Sequence, residues 1–453
     1  MSLRGVVNEL VIAPTLGRYD RTLITDIPRR RRSAGDPTSD LPSIEQLSLG
    51  RAKTGLATRL LFSFPHAIGS GGSINNVAAN QVRGALQLGV NVTVFCASVQ
   101  ENVLEGLLRD APIHQTMRFA GTRIPHRAIG IERAYNYHDH RVARWLSRHR
   151  DEIDVIHTYP GGCLETLRQA KRLGIPALRE APSPHTASAF YEAGRAAAAA
   201  GMTLPPNHSH FMNPDRLRKE EAEYEAAGTI LAPSEYAAAT FLSRGYEGRK
   251  IRQHRLGIDL ERFPVAERAV PGPDQGLRAI FLGRGEPNKG LHLALQAWKQ
   301  SGVNERGTFV ICGPPILPEY RHFLGSLLEM RGVQELGYVE NIATEMGRSD
   351  ILIHPSFTEG SAMATFEAQA VGCIALVSRS SGSDTTHMVN GLVHETENIE
   401  QLGSQINLLD QDRALLGRLR HANLARRTEL GHEFAAEKLV AIYRDLALNP
   451  SNA

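Results

Sequence analysis

Four side chains in the second half of the chain have types and spacing that could do chemistry together. Arg284 and Lys289 stand five residues apart in Gly283-Arg284-Gly285-Glu286-Pro287-Asn288-Lys289-Gly290. This glycine-rich loop follows an apolar run, Ala279–Leu282, and precedes a helical stretch, Leu291–Lys299. In an open parallel sheet, ligands bind beyond the carboxyl ends of the strands. Two cations in such a place suit a diphosphate, since Arg offers a fork of donors and Lys a point charge. The G-x-x-x-x-G-K-[ST] phosphate loop occurs nowhere in the chain. Taken alone, the same residues also suit an ordinary exposed turn.

The other two are acids. After the run Ile351–His354, Glu359 enters a loop, and Gly360, Ser361, Ala362 and Met363 lead into a helical stretch, Ala362–Val371, that carries Glu367. Small residues there leave the first-turn N–H groups open, and those donors with the helix dipole can hold a phosphate. Two carboxylates beside an anion need a different task, and accepting hydrogen bonds from sugar hydroxyls is one. A helix cap at Glu359 and a core-paired Glu367 form the alternative, and spacing does not choose between them.

The front half offers less. The run Leu60–Pro65 leads into His66 and Gly69-Ser70-Gly71-Gly72-Ser73, where Gly71 and Gly72 would let backbone approach a phosphate or an acceptor. The pattern is not G-x-G-x-x-G, and no acid follows at the ribose spacing, so a nicotinamide cofactor is not expected. His157 ends the apolar run Asp154–His157 and is expected to face the ligand cleft. His138, His140, His185, His208 and His210 lack further ligands at a recognisable spacing, and no metal is expected. Asp410-Gln411-Asp412 lies in a Leu-rich helical segment rather than after a strand, and no G-x-S-x-G is present.

These residues need elements to position them. Leu60–Pro65, a helix over Ile74–Leu88 and Val90–Ala97 make a strand–helix–strand unit, followed by strand runs at Val155–Tyr159, Pro176–Leu178 and Ile230–Ala232. A second series comprises Ala279–Leu282, Phe309–Cys312, Ile351–His354 and Ile374–Val377. Short strands alternating with helices read as parallel sheets covered on both faces. Pro264, Pro271, Gly272 and Pro273 mark a linker, Glu261–Gly276. The reading is an N-terminal extension over 1–55, partly flexible, one α/β domain over 56–260, a second over 261–432, and a C-terminal helix within 433–453. Two such domains in series create a cleft between them.

A chain of 453 residues suits two domains, and 42% hydrophobic with 22% charged residues is ordinary for a soluble protein. The net charge is only +3, and residues 1–60 hold ten Lys/Arg against six Asp/Glu. The one dense basic cluster, Arg29–Arg32, reads as a solvated tail, and no nucleic-acid partner is expected. Cys96, Cys163, Cys312 and Cys373 are scattered in apolar or small-residue stretches, as buried free thiols in a reducing compartment would be. The chain shows no signal-peptide pattern and no apolar run of membrane-spanning length. A cytoplasmic location is expected, with peripheral contact to the inner face of a membrane left open.

Taken in order, these segments resemble the large family 4 of glycosyltransferases, which have the GT-B fold: two Rossmann-like, doubly wound parallel-sheet domains facing a central cleft. FLGRGEPNKGLHLALQAW and EGSAMATFEAQAVGCIALVS carry the specific part, the latter as an E-x7-E signature. FVICGPP, LGYVE, LAPSEYAAATFLSRGYEGRKIRQHRLGIDLERF and, more loosely, DVIHTYP and the glycine loop complete it. The resemblance implies a retaining transfer of sugar from a nucleotide-diphosphate donor to an acceptor that the sequence does not identify, with no metal and no other cofactor. Arg284 and Lys289 would hold the diphosphate, Glu367 the ribose, and Glu359 the transferred sugar. Amides of Gly360, Ser361, Ala362 and Met363 would help at sugar and phosphate, and those near Tyr338 and Val339 would meet the base. His157 would touch the sugar from the first domain, Gly71 and Gly72 would approach the phosphate, and the final helix would return to the first domain. Many relatives carry Gly at the place of Ala362 and a bulky apolar residue at that of Ser361, so the sugar is not specified. Residues 183–225 and 1–55 lack an obvious counterpart. Epimerisation, phosphorolysis or silent binding of a nucleotide sugar are alternatives on the same fold.

Overall fold

The computed structural model describes residues 57–450 except 70–72, 101–102, 104–105, 107–110, 120–121, 124–125 and 266–267. The extension over 1–55 and the two glycines Gly71 and Gly72 therefore lie outside the described residues.

The first domain is built on β1 (Arg59–Ile68), β2 (Asn91–Val99), β3 (Ile113–Gln115), β6 (Val155–Thr158), β7 (Ala177–Glu180), β8 (Thr229–Ala232) and β9 (Ile251–Gln253); β4 (Arg118–Phe119) and β5 (Thr122–Arg123) form a separate hairpin. The seven strands pair in parallel in the order β3-β2-β1-β6-β7-β8-β9. β1 is apolar almost throughout because both faces are covered. Leu60, Phe62 and Phe64 join one core, and Leu61 joins the core on the opposite face, following the two-residue period of a strand. The strand runs past Pro65, where the apolar run ends in the sequence, but its register with β2 shifts between Phe64 and Ala67. Proline has no N–H to give the ladder, so pairing is interrupted there.

The second domain holds β10 (Arg278–Leu282), β11 (Thr308–Cys312), β12 (Val333–Gly337), β13 (Ile351–His354), β14 (Ile374–Ser378) and β15 (Gly391–His394), parallel in the order β12-β11-β10-β13-β14-β15. Ala279 and Phe281 pack into one core and Ile280 into the other.

Two connections tie the domains together. Ile258 and Phe263 already belong to the second domain's core, so the handover begins before Glu261. Ile258 also bonds to Leu430 and His432, fixing the outgoing and returning strands of chain side by side. From there the final helix, His432–Leu448, lies against the Ser73–Gln87 helix, and Leu439, Val440, Ile442, Tyr443 and Leu446 complete the first domain's core. The approach is close: a Cβ on Gly84 would stand 2.3 Å from that of Ala436. The alanine-rich helix Thr186–Ala199 bridges in the other direction. Ala196 packs with Leu293 and Phe357, and Ala200 enters the second domain's core. All four cysteines are buried and free. Among the described residues, no helix is long and apolar enough to cross a membrane.

Candidate active site

The site grows from two loops that leave β10 and β13, which pair side by side. After Leu282 the chain passes Gly283 and Arg284 to a single turn, Pro287–Lys289, and Gly290 then takes a left-handed conformation (φ 72°) to start the Leu291–Gln300 helix. Gly290 is required twice over, since a Cβ there would also lie 2.3 Å from the Pro355 carbonyl oxygen. That near-contact presses the β10 loop onto the β13 loop and brings Lys289 Nζ within 2.8 Å of Glu359 Oε1. The same oxygen accepts from Ser356 Oγ at 2.7 Å and meets His354 Nε2 at 2.6 Å. Burial pushes the Glu359 carboxyl up, but the Lys289 ammonium and His354 outweigh it and hold it well below the usual carboxylate range.

Beyond Glu359 the loop is held by the first domain. A Cβ on Gly360 would lie 2.0 Å from the Pro182 oxygen, and the Gly360 carbonyl accepts from Ser234 Oγ at 2.7 Å. Tyr236 donates to Thr358 Oγ1 at 3.2 Å. The helix that follows is Met363–Ala370, with Ala362 at its N-cap and no side-chain cap. Ser361, whose Oγ lies 4.0 Å from Met363 Sδ, does not cap it either. The first turn therefore keeps backbone donors free of side-chain acceptors. Glu367 sits further along this helix, half-buried, with no hydrogen bond from the described residues. Burial raises its carboxyl to about 7, with Arg262 pulling weakly the other way.

Arg284 is half exposed, and its Nη2 lies 3.0 Å from Glu286 Oε1. The other Glu286 oxygen meets His208 Nε2 at 2.8 Å. At the far edge, the ends of β10, β11 and β12 converge: a Cβ on Gly313 would lie 2.0 Å from the Gly283 oxygen, and the Gly313 N–H donates to Gly337 at 2.8 Å. Val339, like Leu282 and Met363, packs against the second domain's core, whereas the Tyr338 side chain projects outward, 83% exposed.

The structure thus joins Lys289, Glu359 and the Gly360–Met363 turn directly. Arg284 stands on the same loop as Lys289, and Glu367 on the same helix as Met363. It does not join His157 to them. His157 is the third residue of the four in β6 and is fully buried. Its Nδ1 lies 2.6 Å from Tyr443 Oη on the final helix, and its Nε2 lies 3.1 Å from Glu180, poorly aligned for a hydrogen bond. The expectation that this ring faces the cleft is therefore corrected: the returning helix covers it. The other histidines have local partners. His138 lies between Ser63 and Thr116, His140 bonds to Asn136, and His185 caps the Thr186–Ala199 helix.

Sequence reasoning missed His354, Ser356, Glu286 and His208. His354 carried the signal that was applied to His157, a histidine at a strand's carboxyl end. Nothing local pointed to Glu286 and His208, which are 78 residues apart. Several buried polar atoms of this site have no hydrogen-bond partner among the described residues, including both amide atoms of Asn288, Nδ1 of His354, Nδ1 of His210 and Oε1 of Glu286. Such a concentration marks a place where a polar ligand or water belongs.

Two family models divide the chain between them. "Glycosyltransferase Family 4" matches residues 71–262, and "Glycosyl transferases group 1" matches 266–426. A stretch of 161 residues is 30% identical to the WcaL protein of Salmonella typhimurium, named for colanic acid biosynthesis as a glycosyltransferase, and WcaL of Escherichia coli matches equally. The match covers 32% of this chain and spans 38% of the length of those curated relatives. Solved structures align over more of it. Anabaena HepE in complex with UDP has a TM-score of 0.58 at 15% identity, covering 85% of this chain and 100% of its own. Sucrose-phosphate synthase of Thermosynechococcus elongatus gives 0.60 at 17%, covering 86% and 99%. WaaG, a glycosyltransferase involved in lipopolysaccharide biosynthesis, gives 0.57 at 14%, covering 85% and 99%. At these identities the likeness is one of fold. With both halves matched in order and two parallel-sheet domains in place, the chain belongs to the group 1, family 4 glycosyltransferases and has their GT-B fold.

Proposed function

We propose that this chain transfers a sugar, with retention, from a nucleotide-diphosphate donor to a hydroxyl of a glycan, lipid-linked or small-molecule acceptor. The observation that carries the reading is the meeting of Lys289, Glu359 and His354 beside an uncapped helix N-terminus. Lys289 has three donors and gives one to Glu359, so others remain for a diphosphate. Arg284, half exposed, can swing to the same phosphates. The Gly360–Met363 amides add the helix dipole. UDP is present in the Anabaena HepE complex, which supports a nucleotide donor here. The names of the WcaL relatives favour a glycan among the acceptors.

In the reaction the bond from the anomeric carbon to the phosphate oxygen breaks, and the diphosphate leaves with the electron pair. The acceptor oxygen attacks the oxocarbenium-like centre from the same face and passes its proton to the leaving phosphate. Arg284, Lys289 and the helix amides offset the growing charge, which is work a metal would otherwise do, so no metal or other cofactor is assigned and turnover should survive EDTA. Glu367, whose carboxyl meets no side-chain donor among the described residues, can accept from the ribose hydroxyls once ionised. Glu359 orients the sugar. A second reading makes Glu359 a covalent nucleophile, favoured by its Oε2, which meets no donor among the described residues. Mass spectrometry of a slow-substrate mixture separates the two, because only the second gives a glycosylated Glu359. The decisive experiment is a thermal-shift screen with UDP-, GDP- and ADP-sugars followed by NMR of the product anomer. A donor at a hundred times its dissociation constant should stabilise by about 2.7 kcal/mol. No stabilisation by any of them, or an inverted anomer, defeats the proposal.

A further inference from the structure

A buried carboxylate beside the proposed diphosphate site needs an account. Glu286 is only 3% exposed, and it lies between the two cations, Arg284 and Lys289, that the proposed function assigns to the donor. Left alone it would repel a diphosphate. It is not alone, because a segment from the first domain reaches it. Residues 201–213 follow the bridging helix Thr186–Ala199 and descend onto the β10 loop, where His208 Nε2 meets Glu286 Oε2 at 2.8 Å.

The ring's tautomer follows from its other nitrogen. The His210 backbone N–H donates to His208 Nδ1 at 3.1 Å, so Nδ1 carries no proton and Nε2–H points at Glu286. The segment is braced from behind, since Arg216 donates to the Ser209 carbonyl at 2.8 Å and Phe211 N–H to the His208 carbonyl at 3.0 Å. Glu286 thus has one oxygen on His208. Its other oxygen is 3.0 Å from Arg284 Nη2 without a well-directed hydrogen bond. Burial pushes the Glu286 carboxyl up, and the His208 hydrogen bond together with Arg284 brings it below its ordinary value, so it is charged.

Resting on the assignment of Arg284 to the diphosphate, we propose that Glu286 and His208 form a positioning relay that couples donor binding to the docking of residues 201–213. In the donor-free protein Glu286 shares its charge between Arg284 and His208. When the diphosphate draws Arg284 away, His208 becomes the principal partner of a buried carboxylate, and its bond strengthens. Donor and segment then hold each other in place, and the segment closes over the phosphates from the first domain. A buried charge that loses its last partner is strongly disfavoured, which gives the coupling its size. The relay belongs to this chain's own side chains: Glu286 supplies the charge, Arg284 is the exchangeable partner, and His208 is the fixed one.

The test is titration calorimetry of UDP, GDP and ADP against the full chain and against Arg284→Ala, His208→Ala, His208→Gln, Glu286→Gln and the double variant His208→Ala/Glu286→Gln. With the nucleotide that binds, His208→Ala should weaken affinity about tenfold, the equivalent of one charge-assisted hydrogen bond. His208→Gln keeps an N–H donor and should recover most of the loss. Glu286→Gln removes the repulsion and should bind at least as well as the parent, and in that background His208→Ala should have little further effect. Hydrogen exchange should show the His208–Phe211 amides slowed by nucleotide in the parent chain but not in His208→Ala. Equal losses from His208→Ala in both backgrounds, or no rescue by Gln, overturn the relay while leaving the diphosphate assignment standing. Undiminished binding by Arg284→Ala, or no binding of any nucleotide, overturns both. Should His208→Ala fail to fold, exchange in Glu286→Gln decides: nucleotide should no longer slow the His208–Phe211 amides there, and slowing equal to that of the parent overturns the relay.

Discussion

Each domain sets a histidine against a glutamate at the carboxyl side of its sheet. In the first, His157 lies 3.1 Å from Glu180, and in the second His354 lies 2.6 Å from Glu359. The residue types are the same, but their surroundings are not. Around His157 the final helix supplies Tyr443, while Gln81 ties Tyr159 to Glu180, and His254 stands alongside with burial lowering its ring to about 4. The whole group is sealed. Around His354 the neighbouring strand's loop supplies Lys289, and the next element is a helix start with no side-chain cap. The first arrangement fastens a helix to a sheet. The second joins a lysine, a histidine and a carboxylate beside a helix start that no side chain caps. What separates a structural pair from a chemical one is what covers it.

The comparison can be broken at several points. Lys289→Ala should cost the largest effect, a loss of about a hundred- to thousand-fold in turnover, typical of removing one preorganised donor. Steady-state rates with the identified donor check it, and near-parental turnover would show that the second cluster is no more chemical than the first. Tyr443→Phe should act oppositely. It strips the partner from His157 Nδ1 and should lower stability by about 1–3 kcal/mol in denaturant unfolding while leaving nucleotide affinity unchanged.

Glu367 gives a pH signature near neutrality. Its carboxyl is raised to about 7 in the folded protein, above its unfolded value. Between these two values the unfolded chain holds fewer protons, so this group's contribution to stability falls as pH rises toward about 7 and levels off above it. A ribose needs the ionised form as acceptor, so nucleotide affinity should rise by up to about tenfold between pH 6 and 8. Calorimetry on the parent and on Glu367→Gln tests this, and a profile unchanged by the substitution removes Glu367 from the ribose role. The smallest effect is expected of Tyr338→Ala. Its exposed ring contributes less than about 0.5 kcal/mol to stability. If backbone amides meet the base, nucleotide affinity by calorimetry should also stay close to that of the parent, and a large loss would assign the base to the ring instead.

Much of the architecture was legible because buried parallel strands leave continuous apolar runs, and the Leu291–Gln300 and Met363–Ala370 helices follow their strands closely in sequence. The strand Val333–Gly337 left no such run, since it is a mostly exposed edge in which only Val333 and Leu336 are apolar, and LGYVE marked its end only through the family resemblance. For the site, Arg284, Lys289, Glu359 and Glu367 stood out as the polar residues that follow their strands, but spacing left a turn, a cap or a core pair equally open, and their roles came from the family resemblance. Glu286 stood in the loop without a role, because its partner His208 comes from a stretch in which the sequence showed no obvious family counterpart, although the family 4 match spans it.

By itself, the sequence determined the two alternating series of strands and helices and the side chains that follow each strand, because those depend on short-range periodicity and on glycine at tight turns. Only the tertiary structure decided which strand ends are covered. His157 and His354 lie near the carboxyl ends of corresponding strands, but a helix from the far end of the chain closes over one, and a lysine from an adjacent loop reaches the pair beside the other. Cover and charge are set by contacts between residues remote in sequence, and local pattern carries no record of them.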